Sequence, residues 1–443
     1  MNTVRKIALG CFALALFGFA LPTLAGDGIP HALGLRMARP SPGMMMAGDS
    51  LPPVGRVSGG GTPIFSLAPS MPTPMDQGSI GSCGSCSTGY AWKSHMEAVA
   101  RGWSPSGGAH TFSPSYLYPQ VNGGGDNGSY FEDNLFVLCS RGVSTISAQP
   151  YVENVTTWPT QSQYENAMPQ RNAYVKGGAI GSVVALGTPA AVKKAKALIA
   201  KGTPLLLGIS VDNAFDNLDS GATNYVWYPN ASSIRGGHAI PLIGYDDTIT
   251  DGDGHVGAFE FQNSWGTGWC NGGRAYIAYD AFYEGLCVNQ YAYYGAERKA
   301  YTPTIKANIT INHPKRGVVF VVIGSGLGSK AKWSEVYYGG LVMNEAGVWD
   351  DTHANISATL DITGGAKCWP PSTKNAWWMM AWDYDSDGVT GSIAQFQLVG
   401  PGGTYTATVP VGMADVGPTY ITLGGTGVPS VMGLCNTCDE AAE

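Results

Sequence analysis

Hydrophobic and polar positions divide the 443-residue chain into four stretches of different rhythm. Residues 7–24 form one apolar run behind Arg5 and Lys6, closed by Thr23-Leu24-Ala25. A cationic start, a short apolar centre and a small residue at the cut site predict a secretory signal over residues 1–25. Pro22 interrupts the run, which is short for a membrane span. Residues 26–68 are rich in Pro, Gly and Met and show no period, so a flexible leader is expected. It reads first as a linker and alternatively as a short propeptide.

The third stretch mixes periods. Trp92, Met96 and Val99 recur at helical spacing and stop before Gly102. Ser113 and Pro114 open a helix as N-cap and first residue, and Thr188 and Pro189 open another. A helix over FEDNLFVLCSR ends at Gly142, with Leu135, Leu138 and Cys139 on one side. PLLLGISV reads as a buried strand and DNAFDNL as a loop. Two further strands, 238–245 and 257–262, flank the acidic segment DDTITDGDGH, read as a solvated hairpin loop. Beyond residue 300, eight runs of Val, Ile, Thr and aromatics alternate with Gly, Asn and Asp turns. Such runs without a helix predict an antiparallel β-sandwich.

Composition sharpens this picture. Gly (62) and Pro (28) are abundant and charge is sparse, which suits a loop- and strand-rich protein. The net charge of −7 comes with no basic patch, so nucleic acid is not an expected partner. After signal removal, no apolar run long enough to span a bilayer remains. An exported chain meets oxidising conditions, so a disulfide is expected between Cys270 and Cys287, and a small one at Cys435-x-x-Cys438. Asp383, Asp385 and Asp387 match the start of a calcium loop, but position 12 is Ala394, so a polar turn is the favoured reading. Trp377, Trp378 and Trp382 beside it are expected in the core, with a surface ligand as the alternative.

The chemistry gathers between residues 75 and 97, MDQGSIGSCGSCSTGYAWKSHME. Glycines permit a tight turn and close approach to a substrate. A cysteine at a helix N-terminus meets the positive end of the helix dipole, which favours the thiolate. Gln77 can aim its amide at an oxyanion. Downstream lie His238 in GGHAIPLIGYDD and Asn263 in FEFQNSWGTGWCNGG.

In this order, Gln, Cys, His and an Asn opening N-S-W-G, the sequence resembles the papain-like cysteine peptidases of bacterial type, over residues 69–300. The resemblance implies an α+β fold, a two-lobed domain with a helical lobe and a β-barrel lobe, here followed by the β-sandwich of residues 301–443. It implies that His238 pairs with the thiolate and protonates the leaving amine, that Asn263 orients the ring, and that Trp265 covers their hydrogen bond. It implies that Gly128, Ser129 and Tyr130 stand where the family offers backbone groups to an extended substrate. Here the family's second glycine is Ser129, which is expected to crowd the cleft.

Two cysteines compete as nucleophile. Aligned on C-G-S-C, Cys86 attacks, nine residues after Gln77. Aligned on D-Q-G-S-I-G-S-C, Cys83 attacks, six residues after it. The second alignment puts Ile80 and Asp126 where the family has a structural disulfide, so both halves are missing together. Against it, Glu97 falls a helical turn late counted from Cys83. Cys83 is preferred and Cys86 kept as the alternative. Cys139 is read as a buried small residue or a partner for Cys86.

The expected protein is a secreted or periplasmic cysteine endopeptidase that acts on proteins or peptides and needs no cofactor. The alternatives are an amide transferase on the same fold and a non-catalytic adhesion module. The C-terminal domain is expected to serve attachment to a substrate or surface.

Overall fold

The computed structural model of the protein describes residues 31–37, 44–46 and 62–424, apart from 176–177, 221, 300, 328–334, 343–354 and 373–374. The expected signal segment and the Cys435-x-x-Cys438 tail lie outside the described residues. The chain forms two compact units and passes from one to the other after Thr302.

The first unit is α+β. Its leading helix, α1, runs through residues 83–101 in three segments: α-helical Cys83–Ser85, π-helical Cys86–Lys93 and α-helical Ser94–Arg101. Each π turn takes up more residues than an α turn. The π stretch therefore changes the spacing from Cys83 to Glu97 by less than a full turn, which shortens the offset counted from Cys83 without closing it. Gly102 ends α1 in the left-handed conformation, φ 71°. α2 spans Phe131–Ser140 and α3 spans Pro189–Ala200, with the Thr188 hydroxyl accepting from Ala191 N as expected of an N-cap.

The strands are β1 (Met44–Met46), β2 (Ile64–Ser66), β3 (Gly181–Ala185), β4 (Leu205–Val211), β5 (Val226–Trp227), β6 (Gly236–Thr250), β7 (Val256–Gln262), β8 (Arg274–Ala278) and β9 (Val288–Tyr294). They form one sheet in the order β1-β3-β9-β4-β6-β7-β8-β5, with β2 added on β6. Leu205, Leu206, Leu207 and Ile209 of β4 are all fully buried, so this strand reads as a continuous apolar run. β4 pairs with β6 so that Ile209 faces His238. Leader residues 44–46 are not patternless chain but a strand, because the edge of β3 offers backbone partners. The expected loop after β4 contains a helical turn, Asn213–Asp216, capped by the Asp212 carboxylate.

A buried ion network ties α1 to the end of this unit. Lys93 Nζ lies 2.6 Å from Glu297 and 3.0 Å from Glu97, and Arg101 closes on Glu97. His95 is a packing residue, its ring nitrogens against the carbonyls of Ser70 and Gly202.

The expected disulfide is not formed. Cys83, Cys86, Cys139, Cys270, Cys287 and Cys368 are all free thiols. Cys270 donates its backbone N–H to Asp219, whereas the Cys287 thiol faces Asp212, so the two residues are held to different partners. Cys139 points at the carbonyls of Ala173 and Ile180, not at Cys86.

The second unit holds two antiparallel sheets. One contains Asn355–Asp361, Lys306–Asn312, Ser392–Gly400 and Gly403–Thr406 in that order, with Val411–Gly412 on Ser392–Gly400. The other contains Glu335–Val342, Val319–Leu327, Asn375–Asp383 and Gly417–Leu423. Ala307, Ile309 and Ile311 are buried between less buried neighbours in one sheet, as a sandwich requires, whereas in the other Val319, Val321, Val322 and Ile323 are all buried. Trp377 is fully buried and donates to Cys368 O, and Trp378 is buried too, so these tryptophans belong to the core. Two of the three aspartates of the calcium-like stretch are engaged by basic side chains. Asp383 is bonded by His313 at 3.0 Å and Asp387 by Lys315 at 2.7 Å. Among the described residues no cluster of three His, Cys, Asp or Glu could hold a metal ion, and no helix is long and apolar enough to cross a membrane.

Candidate active site

Cys83 is the first residue of α1, and its thiol lies among the backbone groups of Ala239, Gly34 and Gly84. Ala239 follows His238 on β6, so the strand that carries the imidazole also meets the thiol. Cys86, one turn on, faces another way. Its sulfur is 3.6 Å from Ser82 Oγ, beside Tyr151, and it borders a small cavity with Met75, Tyr90 and Asn263.

His238 is fully buried. Its Nε2 lies 2.8 Å from Asn263 Oδ1, and Nδ1 has no hydrogen-bond partner among the described residues. Trp265 packs against the ring at 5.0 Å between centroids, with Phe215 and Trp269 behind it. Burial is the main influence on both groups. It pushes the Cys83 thiol up to about 11, against backbone hydrogen bonds that lower it. It pulls the His238 imidazole down to about 4, against the Asn263 bond that raises it. Burial thus works against the charged form of each group.

Gln77 is fully buried and held at both ends of its amide. Ser264 Oγ donates to Oε1 at 2.6 Å, which turns Nε2 toward Ala32 O and Ile80 O, both at 3.0 Å. Tyr151 donates to Gln77 O at 2.6 Å and thereby steadies the loop from behind. Where the resemblance places a disulfide, Asp126 Oδ1 accepts from Gly81 N at 2.8 Å and from the Tyr118 hydroxyl. Hydrogen bonds thus join the two loops that the missing cysteines would have joined.

The cleft is occupied by the chain's own residues 31–37. Ser129 N donates to Gly34 O at 2.8 Å and Arg36 N donates to Ser129 O at 2.9 Å. Leu35 N donates to Gly237 O at 3.0 Å across the cleft. His31 stacks on Trp265 with ring centroids 5.3 Å apart, and Arg36 lies over Tyr130. Two glycines make room for this strand. A Cβ on Gly128, at φ 74°, would lie 1.9 Å from Gly34 O, and one on Gly237 would lie 2.2 Å from Leu35 O. Gly208 opens a pocket beside them, where a Cβ would meet the Leu35 and Met37 side chains and Asn289. Ser129 does not crowd the cleft as expected, because its hydroxyl is buried and turned toward Asn134.

Gln77, Cys83, His238 and Asn263 therefore line one region, and Cys86 borders a small cavity that Asn263 also lines. Tyr151, Asn134 and Gly208 were not singled out in the sequence, since each works through a partner remote in the chain.

A fold with a cysteine at a helix N-terminus, a histidine on the facing strand and an asparagine behind it is that of a papain-like cysteine peptidase. The profile described as papain family cysteine protease matches residues 71–296, and the chain belongs to this family of hydrolases. Among solved structures, xylellain, a cysteine protease from Xylella fastidiosa, is 20% identical, with 62% of this chain and 100% of that chain covered and a TM-score of 0.49. The Amb a 11 cysteine protease, a ragweed pollen allergen in its proform, is 16% identical, with 54% of this chain and 67% of that chain covered and a TM-score of 0.42. The bromelain protease of Ananas comosus is also 16% identical, with 54% and 100% covered and a TM-score of 0.42. No curated protein matches the chain.

Proposed function

We propose that this protein is an exported cysteine endopeptidase using Cys83, His238 and Asn263, with Gln77 as the oxyanion donor. The observation that carries the reading is the ring of His238, bonded through Nε2 to Asn263 with Nδ1 left over, on the strand whose next residue meets the Cys83 thiol. In the open cleft the proton passes from Cys83 to His238, and the thiolate attacks the peptide carbonyl. The oxyanion forms against Gln77 Nε2. His238 protonates the leaving amine, then takes a proton from the water that hydrolyses the thioester. Asn263 holds the ring, and Trp265 keeps water from that bond.

The leader reads as an inhibitory segment rather than a linker. It takes both backbone positions of Ser129, the amide of Gln77 and the face of Trp265. A peptide substrate would need the same groups, so residues 31–37 must leave first. The acceptor pocket beside Gly208 then suits an aliphatic side chain like that of Leu35.

Labelling with an epoxide thiol trap, followed by peptide mapping, tests the assignment. Cys83 is expected to be modified, and faster once residues 31–37 are removed. Modification of Cys86 alone would overturn the choice of nucleophile, and no modification would favour an adhesion module. Adding an amine to the peptide assay separates hydrolysis from amide transfer.

A further inference from the structure

Behind the cleft, a buried side-chain relay connects the nucleophile helix to the rim that holds the leader backbone. Ser85, Asn134 and Ser129 are all fully buried. Ser85 Oγ donates to Asn134 Oδ1 at 2.7 Å. Asn134 Nδ2 donates to Ser129 Oγ at 3.0 Å and to Tyr130 O at 2.8 Å. Every polar atom of the Asn134 amide is thus engaged, and the amide has one orientation that satisfies all three partners. Ser85 lies two residues after Cys83, whereas Ser129 gives both its N–H and its C=O to the strand in the cleft. Gly84 belongs to the same device. A Cβ there would stand 2.6 Å from Ser129 Oγ, so the glycine leaves the space that the hydroxyl fills.

We infer that Asn134 is a positioning residue, setting the distance between the Cys83 helix and the Ser129 backbone that aligns a bound peptide. This rests on the peptidase reading above. Misplacement of a bound peptide by about 1 Å costs on the order of 100-fold in rate. A residue that fixes the rim against the nucleophile therefore acts on turnover without touching substrate.

The test compares Asn134→Ala, Ser129→Ala and the double variant in the full chain, with kcat and KM for a peptide measured after leader removal. Asn134→Ala is expected to lower kcat by about 10- to 100-fold with KM changed less than threefold. Alkylation of Cys83 by iodoacetamide, too small to use the rim, should stay within twofold of wild type. The double variant should be no slower than Asn134→Ala, because both remove one relay. Restoring an amide with Asn134→Gln should recover part of kcat. Hydrogen exchange gives a readout that needs no activity: protection of the Arg36 amide, which bonds Ser129 O, should fall about tenfold in Asn134→Ala. Unchanged kcat and unchanged Arg36 protection would overturn the inference, as would iodoacetamide reactivity falling in step with kcat. An inactive wild type would count against the peptidase reading, while the exchange result would still decide the relay.

Discussion

The two units each bury a histidine against a side-chain oxygen, and they use it differently. His238 in the first unit meets the neutral amide of Asn263 through Nε2 and leaves Nδ1 without a partner. His313 in the second meets the carboxylate of Asp383 through Nε2, and its Nδ1 lies 2.8 Å from Lys315 O and 3.0 Å from Lys315 N. A ring engaged at both nitrogens is a cross-link. A ring steadied at one nitrogen by an uncharged group keeps the other for moving a proton. Burial alone does not separate them, since both are below 2% exposed.

The largest effects test that contrast. His238→Ala is expected to lower kcat/KM by about 1,000-fold or more with little change in melting temperature. His313→Ala should leave activity per folded molecule intact and lower unfolding stability by about 3 kcal/mol, because Asp383 stays buried without its partner. Loss of activity from the His313 variant would break the comparison.

Next in size is the orienting group. Asn263→Ala should reduce kcat/KM by about 10- to 100-fold. Asn263→Asp should move the acid limb of the pH profile upward, since a carboxylate beside the ring favours the imidazolium.

Acidity supplies a third test. With the leader in place burial pulls His238 down to about 4, whereas an exposed histidine titrates near about 6.5. The open state then binds more protons than the covered one. The covered state is fully stable above about pH 6.5 and loses stability as pH falls toward 4. The Cys83 labelling rate of the full chain, divided by that of a leader-free chain, should rise over that interval. A flat ratio would mean that covering the cleft does not depend on the charge of His238.

The smallest effect is expected at Gly208. Gly208→Val fills the space in which Leu35 sits and should lower kcat/KM several-fold for substrates with a large aliphatic side chain there, while sparing glycine or alanine. Equal loss for all substrates would place that pocket outside substrate selection.

Much of this was legible in the residues. The Thr188–Pro189 helix start, the Gly102 stop and the buried run of β4 are local signals, and each lies where its pattern puts it. The eight strand-like runs of the second unit also became strands, with TYTATVPV divided in two. The Cys270–Cys287 disulfide failed because nearness in sequence does not set the direction of a side chain. A π-helical stretch within α1 had no signal in the residues and shifts the spacing to Glu97 by part of a turn.

Residue order and type were enough to name the groups that carry a thiol reaction, because glycine turns, helix starts and the Asn-Ser-Trp-Gly segment are local. Tertiary structure alone decided what those groups meet. It brought Ala239 to Cys83 rather than to Cys86, seated residues 31–37 between Ser129 and Gly237, and aimed Asn134 at both walls. Apart from Asn134 to Ser129, these contacts join segments tens to hundreds of residues apart, and only packing of the whole unit fixes their distance and direction.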